Sequence, residues 1–171
     1  MDRLICANLH YLRQAQALLD RLDDLCFAEP AKCFYQSSIG GHLRHCLEHY
    51  QSFLDGMESG RIDYDARERD VILETQIAAA REKVDEIIAA LETLASRDLS
   101  QTLEVKMDCG GDEIPWQASV AGRELQFLVS HTVHHFAMIG GICHAHGVEV
   151  DDGFGVAPST LRHRMEVEAG G

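Results

Sequence analysis

Four stretches of this chain repeat apolar residues at the three-to-four spacing of an α-helix, and little else in it is long enough to build a core. Residues 3–26 carry Leu4, Ile5, Leu9, Leu12, Ala15, Leu18, Leu19, Leu22 and Leu25, one long amphipathic helix ended at Glu29-Pro30, since proline disfavours helix at the preceding residue. Ser37-Ser38 caps a second helix with the stripe Ile39, Leu43, Cys46, Leu47, Tyr50, Leu54 and Met57, stopped by Glu58-Ser59-Gly60. After a charged connector over 61–69, Asp70 caps a third, with Val71, Leu73, Ile77, Val84, Ile87, Ile88, Leu91 and Leu94 inward as far as about Ser96. A fourth starts at Ser119 or Ala121 and reaches about His146, where Gly147 stops it. Its inward face reads Glu124, Phe127, Leu128, His131, His135, Met138, Ile139 and Ile142.

Between the third and fourth helices the period changes to two. Residues 102–107 and 113–118 alternate around Asp108-Cys109-Gly110-Gly111-Asp112, which predicts a β-hairpin with Pro115 on an edge strand. A glycine-rich stretch after the fourth helix leads to a short closing element over 159–167. The expected fold is therefore all-α: one domain over residues 1–171, a four-helix bundle with a small hairpin between helices three and four.

The surface is acidic. The formal net charge of −13 would repel nucleic-acid phosphates and anionic membranes, so neither is expected as a partner. The N-terminal segment lacks the basic and uninterrupted apolar runs of a signal peptide, and no later run is long enough to span a bilayer. A cytoplasmic location is the expectation. Cys6, Cys26, Cys33, Cys46, Cys109 and Cys143 show no CxxC or zinc-knuckle spacing and read as free thiols, with Cys46 in the core.

Six histidines crowd two of the helical segments: His42, His45 and His49 on the second, His131, His134 and His135 on the fourth. His131 and His135 are about 40° apart on an ideal helix and replace apolar residues of the inward stripe. Burying adjacent imidazoles is costly unless their nitrogens are held, and a metal ion holds them economically. The general-base glutamate of HExxH is missing, so that protease mechanism is not supported. No Glu-x-x-His pair recurs on two helices, which speaks against a hemerythrin-like di-iron centre. On the second helix, His42 and His49 lie at the margin of the apolar stripe and His45 further round, so phase alone favours His42 or His49 as an inward ligand. His134 flanks a site or faces solvent; His144 and His146 sit at the helix end, and His10 and His163 have no partners nearby in sequence. One imidazole from the second helix and two from the fourth make a three-nitrogen site with an open position, as in catalytic zinc. Glu48 and Glu124, on the same two helices, are candidate acceptors for an imidazole N–H or for a proton.

The run Ser38-Ile39-Gly40-Gly41-His42-Leu43-Arg44-His45-Cys46-Leu47-Glu48, with Arg123-Glu124-Leu125 and His131-Thr132-Val133-His134-His135, resembles the DinB/YfiT-like metalloprotein superfamily. The resemblance implies an up-down-down-up four-helix bundle with one metal ligand from helix two and an HxxxH pair from the last bundle helix. Carried onto this chain, the ligands are His45, His131 and His135. It further implies a divalent ion, zinc or nickel first, and a low-molecular-weight thiol as co-substrate. Family members with assigned activities include thiol S-transferases using bacillithiol or mycothiol and thiol-dependent maleylpyruvate isomerases. A small electrophile is the expected substrate, a metal-binding stress-associated protein without turnover the alternative, and a homodimer the assembly suggested by family habit.

Overall fold

The computed structural model describes residues 2–32 and 36–170; the Cys33 thiol lies outside them. Asp2 accepts a hydrogen bond from the Leu4 backbone N–H and so starts α1, Arg3–Leu19. The helix stops at Asp20, short of the 3–26 expected from its periodicity. Asp23 then accepts from the Cys26 N–H and begins a separate short helix, α2, Asp24–Ala28. Aspartate side chains compete for backbone donors, and three of them within five residues break the helix without glycine or proline.

Helix α3, Ile39–Ser59, matches its prediction: Ser38 Oγ caps it at Gly41, and Gly60 closes it in the left-handed conformation with φ of 78°. The charged connector then holds a strand the periodicity did not announce, β1, Arg61–Asp63. Asp70 accepts from Ile72 N–H but stands one residue before the N-cap position, Val71, and the predicted third helix is divided. A single turn, α4 (Ile72–Thr75), is separated from α5 (Ile77–Leu94) by Gln76 in an extended conformation. The Asp24 carboxylate accepts from Ile77 N–H, so α2 caps α5 across the break.

The hairpin forms from β2 (Thr102–Lys106) and β3 (Gln117–Val120), paired antiparallel with Leu103 opposite Ser119. Its second strand begins later than the expected 113–118, which leaves Pro115 in the connecting loop, where its missing N–H costs no ladder bond. β1 pairs parallel with β2, Ile62 opposite Val105, giving the order β1-β2-β3. That parallel pairing needs a long crossover, which α4 and α5 supply. Helix α6 runs Ala121–Ala145, and α7, Pro158–Gly170, buries none of its residues.

The chain is mostly helical with this small sheet at one side. Of the four long helices, α1 and α3 each pack against both α5 and α6. Ile5, Leu9, Leu12, Leu43, Leu47, Phe53, Val84, Leu91, Leu125, Leu128 and Ile139 fill the space between them. One polar network crosses this core. Tyr50 Oη donates to Asn8 Oδ1 at 2.8 Å, Thr132 Oγ1 donates to Tyr50 Oη at 3.3 Å, and Asn8 Nδ2 donates to the Leu125 carbonyl at 3.1 Å. It ties α1, α3 and α6 together where the histidines of α3 and α6 meet. Replacing Asn8 with alanine leaves the buried Tyr50 hydroxyl without its acceptor, an expected loss of about 2 kcal/mol in urea unfolding. A change below about 0.5 kcal/mol, the level of a surface substitution, would mean that the network carries no stability.

Candidate metal centre

Helices α3 and α6 pack against each other, and their histidines converge at that seam. His45 Nε2 lies 3.1 Å from His131 Nε2, and one ring nitrogen from each of His45, His131 and His135 falls within 4.8 Å of the others. Tetrahedral zinc with Zn–N bonds of about 2.05 Å places its nitrogens about 3.3 Å apart. The spacing fits an ion between these rings. His131 Nδ1, on the far side of its ring, is buried without a partner.

The buried face of α6 is Ala121, Glu124, Leu125, Leu128, Thr132, Phe136, Ile139, Ile142 and Cys143. His131 and His135 sit half-buried on its flank. On α3 the phase argument misplaces the group: His45 is the α3 member of the convergent set, with His42 and His49 each one contact away. His49 is almost fully buried; its Nδ1–H donates to the His45 carbonyl at 2.7 Å and its ring lies against His131. His42 Nδ1 faces His135 Nδ1 at 3.0 Å, while its Nε2 is buried and unpartnered. His134 is exposed, edge-on to His135. Cys46 is in the core, where burial pushes its thiol well above the ordinary range.

Burial, and then the neighbouring imidazoles, lower His45 to about 2. Burial and His49 lower His131 to about 3, and burial and His131 bring His135 to about 3. His49 is lowered to about 4 by burial, partly offset by its bond to the His45 carbonyl. At neutral pH these rings are uncharged bases with lone pairs available to a cation.

Two residues of the 61–69 segment, read from sequence only as a charged connector, belong to the site. Arg67 Nη1 donates to His45 Nδ1 at 2.6 Å and its Nε donates to the Tyr64 carbonyl. Tyr64 is buried, stacks on His49 and donates from its hydroxyl to Glu124 Oε2 at 3.0 Å. The apolar pair Ile62 and Tyr64, two residues apart, is the one trace of an inward face, and it ends there: Ala66 is exposed. While Nδ1 of His45 accepts from Arg67, its proton resides on Nε2. Binding an ion through Nε2 would move that proton to Nδ1 and free Arg67, whose Nη1 is 3.8 Å from Glu48 Oε2.

Glu48 and Glu124 are both buried and both engaged. Glu48 accepts from the Asp70 N–H and from Arg44; Glu124 accepts from Tyr64 and from the Ser119 hydroxyl. Neither touches an imidazole nitrogen among the described contacts, so each reaches the histidines only through Arg67 or Tyr64.

A mostly helical protein with three convergent, neutral imidazoles on two facing helices has the features of a histidine metal-site protein. The family comparison agrees: the model of the DinB superfamily matches residues 10–139, and the chain belongs to that superfamily. Over 104 residues, 60% of this chain, it is 35% identical to a protein of Rhizopus delemar named FK506-binding protein 5. The match spans 27% of that relative, so this chain corresponds to about a quarter of its length.

Proposed function

We propose that the chain binds one divalent metal ion, zinc or nickel, on His45, His131 and His135, and uses it as an enzyme transferring a small thiol to an electrophile. The observation that carries this reading is the convergence of three neutral imidazole nitrogens from α3 and α6 within 4.8 Å. Membership of the DinB superfamily supports it. When bound, the ion supplies positive charge that holds a thiol as its nucleophilic thiolate. The thiolate sulfur then bonds to the electrophilic carbon, the leaving group departs with the electron pair, and the thiol proton passes to solvent. His42 Nδ1 and His135 Nδ1 lie 3.0 Å apart; were His135 to hold the ion through Nε2, its Nδ1–H would donate to His42, which makes His42 the orienting partner of that ligand. His49, anchored by its own N–H to the His45 carbonyl, walls the site beside His131.

The test is metal analysis of wild type beside His45→Ala, His131→Ala, His135→Ala and His42→Ala. The first three are expected to lose bound metal. His42→Ala keeps the stoichiometry with an affinity weakened about tenfold or more. Full stoichiometry in all three ligand variants would overturn the site. Thiol-dependent consumption of chlorodinitrobenzene or monochlorobimane by the loaded protein then separates the enzyme from the alternative, a metal-binding protein without turnover.

The remaining features of the reading follow the same family logic. The packing of α1 and α3 each against α5 and α6 supports an up-down-down-up four-helix bundle. No helix among the described residues is long and apolar enough to cross a membrane, and the net charge is −13. Both support a cytoplasmic protein that binds a small molecule rather than nucleic acid or a membrane. A homodimer completes the proposal.

A further inference from the structure

A second concave site lies beside the histidine centre, between the hairpin and the first turns of α6, with a volume of about 320 Å³. That is at the small end of the range for small-molecule clefts. Val105, Met107, Pro115, Ala118 and Phe127 make its apolar wall, and Glu124 and Arg123 face it with opposite charges. Glu124 is 6% exposed. Its two oxygens accept from the hydroxyls of Tyr64 and Ser119, and no cation pairs with it among the described residues. A carboxylate has about four acceptor sites, so capacity remains for a donor from the cleft. Burying an acid without a cation is costly, and a ligand ammonium would offset that cost. Arg123, the next residue back, is exposed and makes no ion pair among the described residues. Adjacent anion and cation on one turn, above an apolar wall, match the ammonium, carboxylate and side chain of one α-amino acid.

We infer that this cleft binds a small zwitterion of the α-amino-acid type with an apolar or thioether side chain, its ammonium on Glu124 and its carboxylate on Arg123. The cleft is separate from the metal reading. Phe127 and Tyr64, which line it, stack on His131 and His49, so the two sites share an aromatic partition and no recognition group for the zwitterion.

The experiment is calorimetric titration of L-methionine into the full chain after metal removal with a chelator, because a bound ion would itself chelate an amino acid. Saturable binding is expected, with 3-(methylthio)propylamine and 4-(methylthio)butanoate, each lacking one charge, at least tenfold weaker. Arg123→Met changes an exposed residue and is expected to keep the fold while weakening methionine at least tenfold; Glu124→Gln is expected to do the same. Absence of saturable binding would overturn the inference. So would equal affinity in Arg123→Met, or binding that appears only in metal-loaded protein and vanishes in His131→Ala. The metal content of the same preparations reports on the histidine site independently.

Discussion

Replacing Gly40 with alanine is expected to lower the melting temperature by roughly 6–12 °C, from an overpacking cost of about 3 kcal/mol in a chain of this size. A Cβ on Gly40 would overlap the carbonyl oxygen of Glu74, with that residue's carbonyl carbon at 2.7 Å and Phe27 Cε1 at 2.9 Å. The obstacle is backbone, which cannot swing aside as a side chain does. Single-turn α4 would have to lift off α3, pulling Glu74 away from Arg44, to which it is bonded at 2.9 Å. Gly41 provides the control: its Cβ would meet side-chain oxygens of Ser38 and Ser37 at 3.3 and 3.4 Å. Alanine there gains helix propensity of about 1 kcal/mol against that contact, so the variant should melt within a few degrees of wild type. Calorimetry of the two variants decides the matter. A Gly40→Ala protein as stable as wild type would mean that α4 does not rest on α3.

The metal-free protein is expected to lose much of its stability as the pH falls from about 6.5 towards 4. In the folded state burial and mutual repulsion lower His45 to about 2, His131 and His135 to about 3, and His49 to about 4. In the unfolded chain each returns to about 6.5. The unfolded state therefore binds more protons throughout that window, and stability rises with pH across it. The contribution of these rings is intact above about pH 6.5 and is eroded progressively below it. Near pH 5 each of the three converging imidazoles takes up about one proton on unfolding. Urea midpoints from pH 4 to 8 give the slope, and His131→Ala should flatten it. A midpoint unchanged between pH 7 and 5 would show that the rings are as readily protonated in the folded protein as in the open chain.

Much of the helical content was legible because each long helix carries its own apolar period and its own stop signal, as Ser38 and Gly60 show for α3. The breaks at Asp20 and Gln76 were not. No proline or glycine marks them; they arise where Asp23 and Asp24 offer backbone donors a better acceptor than the continuing helix. In the candidate site, spacing alone pointed to the His131 and His135 pair. Within the α3 trio it favoured His42 or His49 over His45, because α3 is packed by both α5 and α6 and has no single inward direction. The likeness of Ser38-to-Glu48 to a known family selected His45, and His45 is the member that meets the α6 pair. Tyr64 and Arg67 escaped notice because a strand of three residues is too short to show a period. Their place at the site depends on pairing with a segment some forty residues further along.

That pairing has a consequence for how this chain can vary. Ile62 and Tyr64 project to the same buried side, and the ladder continues past β1 through the Tyr64 N–H, which donates to the Lys106 carbonyl at 3.0 Å. Removing one residue from Arg61–Asp63 would exchange the two faces of the segment, so that an aspartate replaced Tyr64 against His49 and Glu124. The link between α3 and the Arg67 guanidinium is thus metered in single residues. The tip of the β2–β3 loop is different: at Gly110 and Gly111 nothing lies within 4 Å of a would-be Cβ, so an added side chain there meets open space.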